Sequence, residues 1–147
     1  MRQWFLVLAF VVAAAQPLAA DPADTDIRAP EGAGTRADIQ AVISAQIEAF
    51  RAGDVAGAFA YASDGIRQIF GTADTFATMV GRGYAMVIAP AEVIYGDLRD
   101  EAGAPVQRVL IRDASGVWHA LDYLMVKQDG GWRIGGVELL AAPAVGA

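Results

Sequence analysis

Apolar side chains recur at helical spacing from Asp38 onward, with Ile39, Val42, Ile43, Ile47 and Phe50 on one stripe and Gly53 as its stop. Asp54 is placed to cap a second, short helix through Val55, Ala58, Phe59 and Ala62, because its carboxylate can accept from the free amides of the first turn. Ser63 or Asp64 opens a third, with Ile66, Ile69 and Phe70 expected inward. The stretch "TADTFATMVGRGY" predicts a fourth, which turns Phe76, Met79 and Val80 to one face and ends near Arg82, where Gly81 and Gly83 weaken it. The pattern then changes. "EVIYGDL", "PVQRVLIRD", "VWHALDYLMVK" and "WRIGGVELL" are β-branched or aromatic and separated by Gly and Asp turn residues. Helices followed by a run of antiparallel strands give an α+β class, the helices laid on one face of a curved sheet.

Turn chemistry sets the register. In "QDGG", Asp129 and Gly130 suit a two-residue type I′ loop, which pairs Gln128 with Gly131. Continued without interruption, the ladder sets Met125 opposite Ile134, Tyr123 opposite Gly136, Leu121 opposite Glu138 and His119 opposite Leu140. In "DASG", Gly116 takes the left-handed position and sets Ile111 beside His119 and Val109 beside Leu121. One face therefore collects Val109, Ile111, Leu121, Tyr123, Met125, Trp132 and Ile134, the expected core, with Trp132 as an anchor. The other holds Arg108, Leu110, Arg112, Trp118, Ala120, Asp122, Leu124, Val126, Arg133, Val137 and Leu139. That face is too apolar for a solvated surface, and a second copy of the same sheet is its expected cover, which makes the protein a homodimer.

The first residues, "MRQWFLVLAFVVAAAQPLAA", place an arginine before an apolar run from Trp4 to Ala15, then Pro17 and the small residues Ala19 and Ala20. That is the order of a signal peptide cleaved near Ala20, and the run is shorter than the ~20 residues of a membrane span. The expected organisation is a signal peptide over 1–20, a flexible lead-in over 21–36, a folded domain over 37–140 and a tail over 141–147, in a periplasmic or secreted protein. The chain has no cysteine, so export gives it no disulfide and its stability rests on the apolar core. A net charge of −6 and a single lysine, Lys127, exclude a basic patch, and nucleic acid is not an expected partner.

Composition also limits the chemistry. With one histidine and no cysteine, no metal site and no cofactor are expected. Asp21, Asp24 and Asp26 read as a solvated acidic stretch, "GRGYA" lacks the Lys-Ser or Lys-Thr of a phosphate loop, and Ser44, Ser63 and Ser115 lack a nucleophile elbow. Acid–base residues remain. His119 and Asp122 alternate to opposite faces of their strand, whereas the uninterrupted ladder puts His119 and Glu138 diagonally on the inner face. There Glu138 would orient the imidazole, with Tyr123, Gln107 and Tyr84 as polar contacts and Trp132 as a stacking surface. The same pair read as structure is an exposed rim pair. Arg67 and Arg82 are either anion-binding groups at a cavity mouth or solvated helix residues.

"AVISAQIEAFRAGDVAGAFAYASDGIRQIFGTADTFATMVGRGYAMVIAP", with the later "VWHALDYLMVKQDGGWRIGGVEL", resembles a bacterial family known as domain of unknown function 4864. That family is similar to the nuclear transport factor 2-like, or SnoaL-like, superfamily, and the resemblance runs from about Ile39 to Leu140. It implies a cystatin-like cone in which a curved sheet wraps helices around a cavity. The family supplies no catalytic residues, and fold alone does not settle function. The leading expectation is an exported accessory domain that binds a small apolar ligand or a protein partner without catalysis. The alternatives are a ketosteroid-isomerase-like isomerase or dehydratase using His119 and Glu138, and a structural dimerisation module.

Overall fold

The longest apolar stripe becomes helix α1, Ala33–Arg51, in a computed structural model that describes residues 33–141. The expected signal peptide, most of the lead-in and nearly all of the tail lie outside the described residues. Ile39, Ile43, Ile47 and Phe50 of α1 are buried as their spacing requires. The helix starts at Ala33, inside the expected lead-in, because lengthening an established helix costs far less than starting one. It stops at Gly53, whose φ of +75° lets Asp54 N donate to Ala49 O at 2.8 Å. Three short helices follow, each with a side-chain N-cap. In α2, Val55–Ala60, Asp54 Oδ1 accepts from Gly57 N at 2.9 Å. In α3, Asp64–Phe70, Ser63 Oγ accepts from Ile66 N, and in α4, Ala73–Gly83, Thr72 accepts from Thr75 N. Ile69 departs from expectation: it is 73% exposed, since the buried side of α3 is set by Ile66 and Phe70 and Ile69 lies about 100° round from Phe70.

A 3₁₀ turn, Ala85–Val87, leads into the strands β1 Glu92–Glu101, β2 Ala104–Arg112, β3 Trp118–Gln128 and β4 Gly131–Leu139, an antiparallel meander in the order β1-β2-β3-β4. The fold is α+β, helices first and a curved sheet after. The β3–β4 loop is the expected two-residue turn, with Asp129 and Gly130 at φ +51° and +79°. The β1–β2 loop repeats it with Ala102 at φ +54°, a left-handed position that costs a non-glycine residue about 1–2 kcal/mol.

Two bulges interrupt the ladders. In β1 the register shifts between Tyr95 and Leu98. In β4, Met125 pairs with Ile134 as expected, but Leu124 then pairs with Gly136, so Gly135 is the extra residue. A Cβ at Gly135 would sit 3.0 Å from Val126 Cγ1, so only glycine fits there without displacing a neighbour. On the outer edge of β4, Ile134 exchanges backbone hydrogen bonds with Tyr61 O and Ser63 N, both at 2.9 Å, which ties the α2–α3 connection to the strand.

The β4 bulge corrects the faces beyond it. Val137 lies opposite Tyr123 and Leu139 opposite Leu121, both on the inner face, while Glu138 lies opposite Asp122 on the outer face. The inner face is otherwise as the turns predicted: Val109, Ile111, Leu121, Tyr123, Met125 and Ile134 are all buried. Trp132 is the exception. It is half-buried at the last pair before the turn and carries the Lys127 ammonium 4.6 Å from its ring centroid, so it flanks the core and does not anchor it. Between sheet and helices Phe76 is the hub of an aromatic cluster, its ring centroid 6.0 Å from Phe50, 5.2 Å from Phe59 and 5.9 Å from Phe70.

Candidate functional site

Where α1, α3 and α4 lean on the inner face of β3 and β4 they leave a cavity of about 290 Å³. Tyr123, Ile134 and Val137 form its sheet side, and Phe50, Ile66, Phe70, Phe76, Met79 and Val80 most of its helical side. By the volume of a water molecule this is room for roughly ten non-hydrogen atoms. The β4 bulge makes the cavity possible, because it turns Val137 inward.

Three polar side chains interrupt the apolar wall, and two are already engaged. Gln46 is buried on the core stripe of α1 and donates from Nε2 to Ala58 O at 3.0 Å. Tyr84 donates its hydroxyl to Val137 O at 3.1 Å, which holds the end of α4 against β4. Tyr123 is the third. It is only 1% exposed, and among the described residues its hydroxyl has no hydrogen-bond partner. The only described side-chain nitrogen or oxygen that is both unpartnered and fully sealed is Arg67 Nε. Tyr123 lines the cavity from β3. Burial, with a smaller contribution from Tyr95, pushes its acidity well beyond the ordinary tyrosine value. It is a neutral hydrogen-bond donor at any physiological pH.

The structure does not bring the other candidates to this cavity. His119 stays on the inner face, beside Ile111, but its Nε2 lies 2.8 Å from Asp113 Oδ2. Asp113 also accepts from Ser115 N, Ser115 Oγ and Val117 N, and these bonds, that with His119 foremost, hold its carboxyl well below the usual carboxylate range. The arrangement organises the β2–β3 turn. Glu138 is exposed on the opposite face of the sheet, so the His119–Glu138 acid–base pair does not form. Ser115 gives its proton to the same carboxylate as the imidazole, which is not the order of a nucleophilic triad.

Gln107 is fully buried away from the cavity lining and holds the β1 bulge: its Nε2 lies 2.9 Å from Gly96 O and 3.3 Å from Asp97 O, while its Oε1 accepts from Gln40. Trp132 lines no part of the cavity, and Trp118 is exposed on the outer face beneath the Arg112 guanidinium. Of the two helix arginines, Arg67 is paired with Asp64 at 2.5 Å, and Arg82 borders a recess beside the cavity. Sequence reasoning reached Tyr84 and Tyr123 but missed Gln46. Its signal was a polar residue within an apolar helical stripe between Ile43, Ile47 and Phe50.

The outer face carries one dense polar cluster. Asp122, almost fully buried, receives Arg108 on one side and Arg99 on the other, the latter at 2.6 Å, and Arg99 also meets Glu101 at 2.6 Å. Burial alone would raise the Asp122 carboxyl, but the hydrogen bonds from Arg108 and Arg99 outweigh it and hold the group below its ordinary value. Among the described residues no three His, Cys, Asp or Glu side chains come together to hold a metal ion.

The family described as domain of unknown function (DUF4864) matches residues 33–147, and the chain belongs to it. No curated protein and no solved structure gives a significant match to the chain.

Proposed function

We propose that this domain binds a small, mostly apolar molecule in the cavity between helices and sheet, without transforming it. The observation that carries the reading is a mostly apolar chamber lined by the almost fully buried Tyr123, whose hydroxyl has no hydrogen-bond partner among the described residues. A ligand acceptor would give that hydroxyl a partner inside the chamber. A ketone, ester or ether oxygen on an alkyl or ring body fits this chemistry. The cavity offers no nucleophile and no general base beside the phenol, which favours binding over catalysis. Helices leading into a curved meander around such a chamber also support a cone of the nuclear transport factor 2-like kind.

The neutral ketone 2-decanone tests the reading by calorimetry. The parent should bind it, and Val137→Trp, which fills the chamber, should abolish binding. Tyr123→Phe should weaken it by about tenfold, the worth of one hydrogen bond of about 1.4 kcal/mol. Tyr123→Phe should leave thermal stability unchanged or slightly raised, since the hydroxyl has no hydrogen-bond partner among the described residues. Equal ketone affinity in the parent and both variants would sink the proposal.

A second copy of the chain is proposed to cover the outer face. Ile94 and Trp118 are exposed there beside Leu110 and Ala120, Leu124 is exposed beyond the Arg108–Asp122 pair, and the charges around them are of both signs, as a two-fold self-contact requires. Leu124→Asp should sediment as a monomer at concentrations where the parent is a dimer, because it places an unpaired carboxylate in the contact. A parent that is already monomeric would refute the self-contact.

A further inference from the structure

Beside the cavity lies an outer recess bounded by Phe70, Thr75, Thr78, Met79, Arg82 and Gly83. Phe70 and Met79 line both, so the chamber and the recess adjoin at these two side chains. The chemistry changes from one to the other. Inside, a mostly apolar lining surrounds the Tyr123 phenol, which has no partner among the described residues. Outside, two threonine hydroxyls and a guanidinium stand on consecutive turns of α4. Thr78 donates its hydroxyl to Asp74 O at 2.9 Å, and Thr75 Oγ1 accepts from Thr72 Oγ1 at 3.0 Å, which leaves the Thr75 proton free to donate outward.

Arg82 differs from most of its kind in this protein. Arg51, Arg67, Arg99, Arg108 and Arg112 each hold a carboxylate. Arg82 holds none among the described residues, in a chain whose net charge is −6. Its place in the last turn of α4 lets it offset the partial negative charge of the terminal carbonyls, but that use needs only one face of a planar group with five donors. Arg82 is exposed and borders the recess, whose inner wall is apolar.

Resting on the cavity reading above, we infer that the ligand is an amphiphilic anion, with an apolar body and an acceptor oxygen in the chamber and a carboxylate in the outer recess on Arg82 and the Thr75 hydroxyl. The guanidinium offers the paired donors that a carboxylate accepts in a bidentate contact. An uncharged ligand of the same body leaves those donors to water and gains nothing from them.

The pair 2-decanone and 9-oxodecanoate isolates the carboxylate, because the two share a methyl ketone and differ in whether the far end is a methyl group or a carboxylate. By calorimetry at low salt the parent should bind 9-oxodecanoate about tenfold more tightly than 2-decanone. Arg82→Gln should bring the two affinities together, and Arg82→Lys should restore part of the difference. A parent that binds both equally, or a preference that survives Arg82→Gln, would overturn the anion site while leaving the chamber as proposed. Failure of both compounds to bind would overturn the chamber and the anion site together.

Discussion

Leu121→Ala is expected to lower the free energy of unfolding by about 2–5 kcal/mol, and Trp132→Ala by only about 1–2 kcal/mol, although tryptophan is the larger side chain. Leu121 is 0% exposed, in the centre of the inner face, with Val109 on one side and Leu139 on the other. Removing its isobutyl group leaves a hole that strands on both sides and the helices above cannot close. Trp132 sits at the last pair before the β3–β4 turn, one face under the Lys127 ammonium and in reach of water. Part of what Trp132→Ala removes is surface that was never taken out of solvent. Urea unfolding of both variants measures the contrast. A larger loss for Trp132→Ala would mean that the tryptophan closes the core, and that the end of the sheet lies under the helices.

That comparison marks where the chain could be read and where it could not. The helices and their caps are local matters. Asp54 and Ser63 cap as their side chains allow, and the α1 stripe follows from its own spacing. The turns are local too, and they carry the β3–β4 ladder correctly from Gln128 as far as Met125 and Ile134. Beyond that point a ladder extended by counting fails at Gly135. The signal was the glycine pair inside a strand, a usual mark of a bulge. Which of the two would be the extra residue depends on the Val126 side chain across the ladder and on the Tyr61–Ser63 segment at the edge, both remote in sequence.

One unrecognised bulge reverses every later side chain, which is why Glu138 was expected beside His119 and Val137 in the outer layer. The cavity has the same difficulty in greater measure. Gln46, Tyr84, Tyr123 and Val137 come from four separate elements and meet only after the sheet has curved. Tyr84 and Tyr123 could be named from residue type and face, but that Tyr84 is engaged while Tyr123 has no partner among the described residues is a property of packing.

Gln107 supplies the sharpest separation of a binding role from a structural one. Gln107→Leu keeps nearly the same volume at a position that is 0% exposed, so it opens no cavity. It does remove the amide that reaches Gly96 O at 2.9 Å and Asp97 O at 3.3 Å, together with the acceptor for Gln40 at 3.3 Å. The β1 bulge turns those carbonyls out of the β1–β2 ladder, beside the Arg108 side chain packed on Gly96. The carbonyls would lose their donor with little freedom to find water. The expected loss is about 2–3 kcal/mol of unfolding free energy, because stranding partly buried groups costs more than the net worth of the bonds themselves. Affinity for 2-decanone should stay within about twofold of the parent, as Gln107 lines no part of the chamber. Calorimetric binding together with chemical unfolding reads both quantities on one preparation. The reverse pattern, a protein of parental stability that no longer binds the ketone, would return Gln107 to the ligand and leave the bulge to be held by its backbone alone.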